Sequence, residues 1–181
     1  MKKYVALYKL TLSSLFLALA YVLPFLTGQI PQIGAMLCPM HIPVLLCGFI
    51  CGWKYGLVVG IVAPLLRSIN LGMPPMYPTA ICMAFELGTY GLVAGIIYNL
   101  LPKKQMYIYI SLLVSMLLGR IVWGSAMFCF LGFDFAKFGI SSFWTGAFIN
   151  ALPGIILQII LIPIIVILYN KLNKFTQNKN N

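Results

Sequence analysis

His41, Arg67, Glu86, Arg120 and Asn150 interrupt the apolar stretches of this sequence. In apolar surroundings a charged side chain needs a counter-charge, a wet cavity or a ligand. Two arginines against one glutamate leave a positive excess when Glu86 is ionised. A planar guanidinium grips a carboxylate through two parallel hydrogen bonds, so the chemistry on offer is capture of an anionic group. The other reading is that Glu86 neutralises Arg120 or Arg67 inside a bundle and no ligand is involved. Trp123 follows Arg120 by three residues and shares its side of a helix, and Gly119 and Gly124 are expected to leave space there. Tyr77, Phe85 and Trp144 are expected at the same level, where they could stack on a flat ring. His41 reads either as a hydrogen-bonded interface residue or as a ligand contact.

Other chemistries lack their residues. The sequence has one histidine, no HExxH, no GxSxG and no GxxxxGK[ST], so the nucleophiles, bases and phosphate loops that such reactions need are missing. Cys38, Cys47, Cys51, Cys82 and Cys129 form no CxxC. Cys47 and Cys51 are one helical turn apart, with His41 a turn or two before them, which is a thin basis for metal ligation. They read instead as small apolar side chains packed between helices. No metal and no cofactor is expected.

The elements that must position these residues are membrane helices. The chain has 181 residues, of which 62% are hydrophobic and 8% charged, and its mean hydropathy is +1.01. A soluble domain carries roughly a quarter charged residues, because its surface faces water. One membrane domain over 1–181 is the reading, since the polar tail from Lys171 is too short to fold alone. The net charge of +10 raises the question of nucleic acid. Its basic residues, however, sit at helix ends, as expected of cytoplasmic flanks, and no nucleic acid partner is expected.

A span takes about 20 apolar residues. Six segments are predicted, at about 10–26, 40–52, 55–69, 79–100, 106–131 and 143–169, giving an all-α bundle. The second is short and contains Pro43. The first connection, Thr27 to Pro39, is an uncharged loop with two prolines, Pro31 and Pro39, in which the second segment could already begin. The third, Leu71 to Pro78, is predicted non-helical because Pro74, Pro75 and Pro78 remove donors and fix φ. Pro153 and Pro163 are potential kinks in the last segment. Lys2, Lys3 and Lys9 precede the first apolar run, and Ala18-Leu19-Ala20 resembles a cleavage site. The run continues to Leu26, so it reads as a retained span.

Charge bias sets the orientation. With the N-terminus inside, Lys54, Lys103, Lys104, Lys171, Lys174 and Lys179 also fall on the cytoplasmic side, and Lys137 stands alone in the outer loops. Both termini are therefore expected in the cytoplasm. Glu86 and Arg120 then lie about 10 Å below the outer boundary at 1.5 Å rise per residue, with Arg67, Asn150 and His41 at similar or shallower depth. The cytoplasmic half has mainly Gln158. Polar residues at one depth describe a pocket opening outward, whereas a continuous pore would need them at both.

Small residues recur four apart, at Gly48/Gly52, Gly56/Gly60 and Gly91/Gly95, a spacing that lets helix backbones approach closely in lipid. Tyr55-Gly-Leu-Val-Val-Gly-Ile61 echoes Tyr90-Gly-Leu-Val-Ala-Gly-Ile96, but in helices of opposite direction, so no solenoid repeat is indicated.

Met40-His-Ile-Pro-Val-Leu-Leu-Cys-Gly-Phe-Ile-Cys-Gly-Trp-Lys-Tyr-Gly56, Met83-Ala-Phe-Glu-Leu-Gly-Thr-Tyr-Gly91 and Asn150-Ala-Leu-Pro-Gly154 carry a resemblance that covers essentially the whole chain. It resembles the substrate-binding (S) component of energy-coupling-factor (ECF) vitamin transporters. The resemblance implies a six-helix bundle in the cell membrane that captures a vitamin-like small molecule at its outer face. The first and third connections would fold over the substrate. It also implies a transmembrane (T) component and two cytoplasmic ATPases as partners, with Ser14 and Ala18, four apart, as the small-residue face toward the T component. Serine stands at Ser14 where alanine is usual. The polar and aromatic residues expected at one depth, Arg120, Glu86, Arg67, Asn150, Trp123, His41 and Tyr77, are the expected substrate site. Alternatives are an accessory subunit of another membrane complex, an intramembrane enzyme, or a secondary transporter using Glu86 or Asp134 for ion coupling.

Overall fold

The computed structural model describes residues 2–27, 30–102, 104–134 and 139–179. Helix α1, Lys2–Val22, ends in a 3-10 turn, Leu23–Thr27. Helices α2, Pro31–Leu37, and α3, His41–Cys51, follow. Helix α4 is Trp53–Leu71, and a π turn at Met76–Ala80 leads into α5, Ile81–Leu100. Helix α6 is Gln105–Phe130. Helix α7, Ile140–Trp144, continues as a π turn at Thr145–Ile149, and α8 is Leu152–Lys179.

Among the described residues, five stretches are long and apolar enough to cross a bilayer: Tyr4–Leu26, Trp53–Leu71, Met76–Leu100, Gln105–Phe130 and Leu152–Asn173. Six were expected. The difference lies in the second segment, where α3 has 11 residues. That is about 16 Å of helix against a hydrocarbon core of about 30 Å.

Three local expectations change for identifiable reasons. The first connection, expected as a loop, contains a separate short helix, α2, which opens on Pro31; proline suits the first helical position because no hydrogen bond is needed there. Cys38 closes α2 in the left-handed conformation at φ 48°, its backbone N–H donating to the carbonyl of Gly34. The last segment divides before Leu152, and Pro153 stands in the first turn of α8, where it is tolerated rather than kinking a longer helix. In the third connection the helical stretch resumes at Met76, ahead of the predicted start, although Tyr77 itself is extended at φ −116° and ψ 133°.

Helix α5 is central, packing against α3, α4 and α6. Glycines allow the approach. A Cβ on Gly91 would stand 2.2 Å from the carbonyl oxygen of Gly56, and one on Gly48 would stand 2.6 Å from that of Gly91. Three helices thus meet backbone to backbone, as small-residue packing in lipid requires. Tyr90, Leu45, Leu87, Leu112 and Ile162 fill the core around this seam.

Candidate functional site

Helix α5 carries Glu86 on its buried side, one turn before Tyr90. The Glu86 Oε1 atom gathers three groups from three helices. Arg120 Nη1 of α6 lies 3.0 Å away, His41 Nε2 of α3 lies 3.4 Å away, and the Tyr90 hydroxyl donates to it at 3.1 Å. All four side chains are buried. Arg120 extends the cluster by donating from Nη2 to Cys38 Sγ at 3.6 Å. The tilted rings of His41 and Tyr90, 5.2 Å apart, pack the two elements together.

Arg67 stands apart from this cluster. It is 4% exposed on α4, and its Nη1 donates to the backbone carbonyl of Tyr21 at 2.8 Å. The guanidinium lies over the Phe25 ring, 5.0 Å from its centroid. A carbonyl and a ring face favour the cation but do not cancel its charge. Among the described residues it has no carboxylate partner. The Glu86–Arg120 pair sums to zero, and Arg67 adds one positive charge to the group.

These residues line a cavity of about 520 Å³. Its lining includes His41, Glu86, Arg120, Met83, Arg67, Pro24 and Trp123. The first connection contributes Gly34, Cys38 and Pro39, and the third contributes Gly72 through Pro75. Both connections therefore border the cavity at one end of the bundle. The volume falls within the ~300–1,000 Å³ of small-molecule sites.

The structure brings together five of the seven residues singled out for a ligand: Arg120, Glu86, Arg67, Trp123 and His41. Tyr77 and Asn150 do not line the cavity. The Tyr77 hydroxyl donates to the backbone carbonyl of Phe130, and its ring meets the Phe130 ring edge-on at 5.8 Å and 88°. Asn150 is exposed at the break before α8, because the chain leaves the helix there instead of presenting Asn150 to the bundle. The space expected at Gly119 and Gly124 is taken: the Tyr90 ring packs on the first and the Phe143 ring on the second. Phe85 and Trp144 are more than half exposed and do not line the cavity.

Sequence reasoning passed over Tyr90, Cys38 and Met83. Tyr90 could have been found from its i, i+4 spacing to Glu86; the other two carry no such signal. On α1, Ser14 and Ala18 lie on the exposed side, while Ser13, Phe16 and Ala20 face the core.

An apolar helical bundle with five stretches long and apolar enough to cross a membrane, among the described residues, and a cavity at one end defines a multi-pass membrane protein. The family profile of the ECF transporter substrate-specific component matches residues 8–166, and the chain belongs to that family. It is thus a substrate-specific subunit of a membrane transport system. Comparisons with curated proteins and with solved structures give no match.

Proposed function

We propose that the chain captures a vitamin or related carboxylate-bearing small molecule at the outer face of the cell membrane, as the substrate-binding subunit of an ECF-type ABC importer. The observation that carries this reading is Arg67: a buried cation in the cavity wall with no carboxylate partner among the described residues. A buried charge without a counter-ion costs several kcal/mol after relaxation, and an anionic ligand supplies the counter-ion. Glu86, Arg120 and His41 add polar lining, and Trp123 offers a ring face to a flat ligand.

Lysines at the N-terminus, at Lys54, around the 102–105 turn and beyond Asn170 support cytoplasmic termini, an orientation in which the cavity opens outward. The short α3 completes a six-pass path within the bundle, in one domain. No nucleotide-binding motif is present in the sequence, so energy comes from partners: a T component and two cytoplasmic ATPases. Ser14 and Ala18 on the exposed side of α1 form the T-component face. The role is transport rather than catalysis.

Reconstitution in liposomes tests this. The chain alone should bind solute from a mixture of vitamins without accumulating it, and adding an ECF T component with its ATPases should give ATP-dependent uptake. Bulky replacements such as Ser14→Leu or Ala18→Leu should weaken that assembly and spare binding. Accumulation by the chain alone, driven by a proton gradient, would instead establish a secondary transporter.

A further inference from the structure

We infer that Arg67, not Arg120, is the anion anchor of the cavity, and that the ligand's carboxylate docks side-on against the Nε–Nη2 edge of Arg67. The inference rests on the binding-subunit reading above and makes its site specific. Arg120 is the arginine that spacing alone favours, because Trp123 lies beside it. In the folded chain its charge is already matched: Nη1 meets Glu86 and Nη2 meets Cys38. A carboxylate arriving at Arg120 would also meet the like charge of Glu86.

Arg67 presents the opposite case. Only Nη1 is engaged, by the Tyr21 carbonyl. Nε and Nη2 donate to nothing among the described residues, although the side chain is 4% exposed and lines the cavity. Those two groups form one edge of the guanidinium fork, the geometry that takes both oxygens of a carboxylate. The Tyr21 carbonyl fixes one end of the fork, and the Phe25 face beneath it, 5.0 Å away, limits its tilt. The edge is held before any ligand arrives, so little side-chain freedom is lost on binding. Lysine could keep the charge here but not the edge.

Cys38 makes the test independent of knowing the natural ligand, because its thiol lies in the cavity wall. In the full chain with Cys47, Cys51, Cys82 and Cys129 replaced by alanine, modification of Cys38 by the uncharged reagent methyl methanethiosulfonate is followed by mass spectrometry. Protection is titrated with benzoate and with its neutral analogue benzamide. The inference expects benzoate to protect at concentrations at least roughly tenfold lower than benzamide, as loss of a charge-assisted contact implies. Arg67→Gln should erase the difference, and Arg67→Lys should keep only part of it. Equal protection by the two probes, a preference retained in Arg67→Gln, or a Cys38 that no reagent reaches would each overturn it. If Arg67→Gln does not fold, the benzoate–benzamide comparison in the parent and in Arg67→Lys still decides. A benzoate preference without ATP-dependent uptake in the presence of partners would leave the anchor standing and remove the importer reading.

Discussion

The Arg120 guanidinium stands 3.0 Å from the Glu86 carboxylate, with both side chains buried between α6 and α5. The pair joins two neighbouring helices beside the cavity, and its two charges cancel. Removing one member leaves the other as an uncompensated charge in low dielectric, which typically costs ~3–5 kcal/mol. Glu86→Gln and Arg120→Ala should each lower the thermal unfolding midpoint in detergent strongly. Replacing both by leucine should cost much less than the sum of the single losses, because no orphan charge remains. Additive losses would show that the two side chains act independently.

The glycine seam makes a second prediction. Gly91→Ala drives a Cβ to 2.2 Å from the backbone oxygen of Gly56, which no rotamer change relieves. Overpacking of this kind costs ~1–3 kcal/mol. Gly88→Ala, three residues earlier, meets only side chains, Ile61 at 3.0 Å and Leu57 at 3.4 Å, and should be milder. Unfolding midpoints of the two variants check this, and equal effects would contradict a backbone-to-backbone contact.

How much of this was readable beforehand depends on what carried each feature. The helices α1, α4, α5 and α6 were legible because their apolar runs are long. Helix α2 was hidden because Pro31 reads equally as a loop breaker and a helix start, whereas α3, already short in the sequence and carrying Pro43, has 11 residues. The Glu86–Arg120 pair was one of two pairings that sequence allowed; only packing of α5 on α6 selects it. Arg67 is held by a backbone carbonyl and a ring face, and neither leaves a pattern in residue types. Asn150 was misplaced because depth along a helix assumes that the helix is unbroken, and the chain breaks at that point.

Tyr77 gives a third prediction. Its hydroxyl ties the third connection, which borders the cavity, to the carbonyl of Phe130 at the end of α6. Tyr77→Phe keeps the ring contact and removes the hydrogen bond, a change worth ~0.5–1.5 kcal/mol. Methyl methanethiosulfonate should then modify Cys38 roughly 2- to 10-fold faster in the single-cysteine chain. Tyr77→Ala should accelerate it further. Unchanged rates in both variants would mean that the third connection does not control access.

Orientation is the fourth. Single cysteines at Met73, in an otherwise cysteine-free chain, should react with a membrane-impermeant maleimide from outside intact cells. A reporter in the 102–105 turn should read cytoplasmic. External labelling of that turn would invert the bundle and place the cavity on the wrong side for capture.

The most direct test of the account is native mass spectrometry of the protein purified in mild detergent, comparing the wild-type chain with Arg67→Gln. The account predicts a small-molecule adduct on the wild type, carboxylate-bearing when released, and its loss from a folded Arg67→Gln chain. A wild-type protein that carries only lipid and takes up no small molecule from a vitamin mixture, or an adduct unaffected by Arg67→Gln, would contradict it.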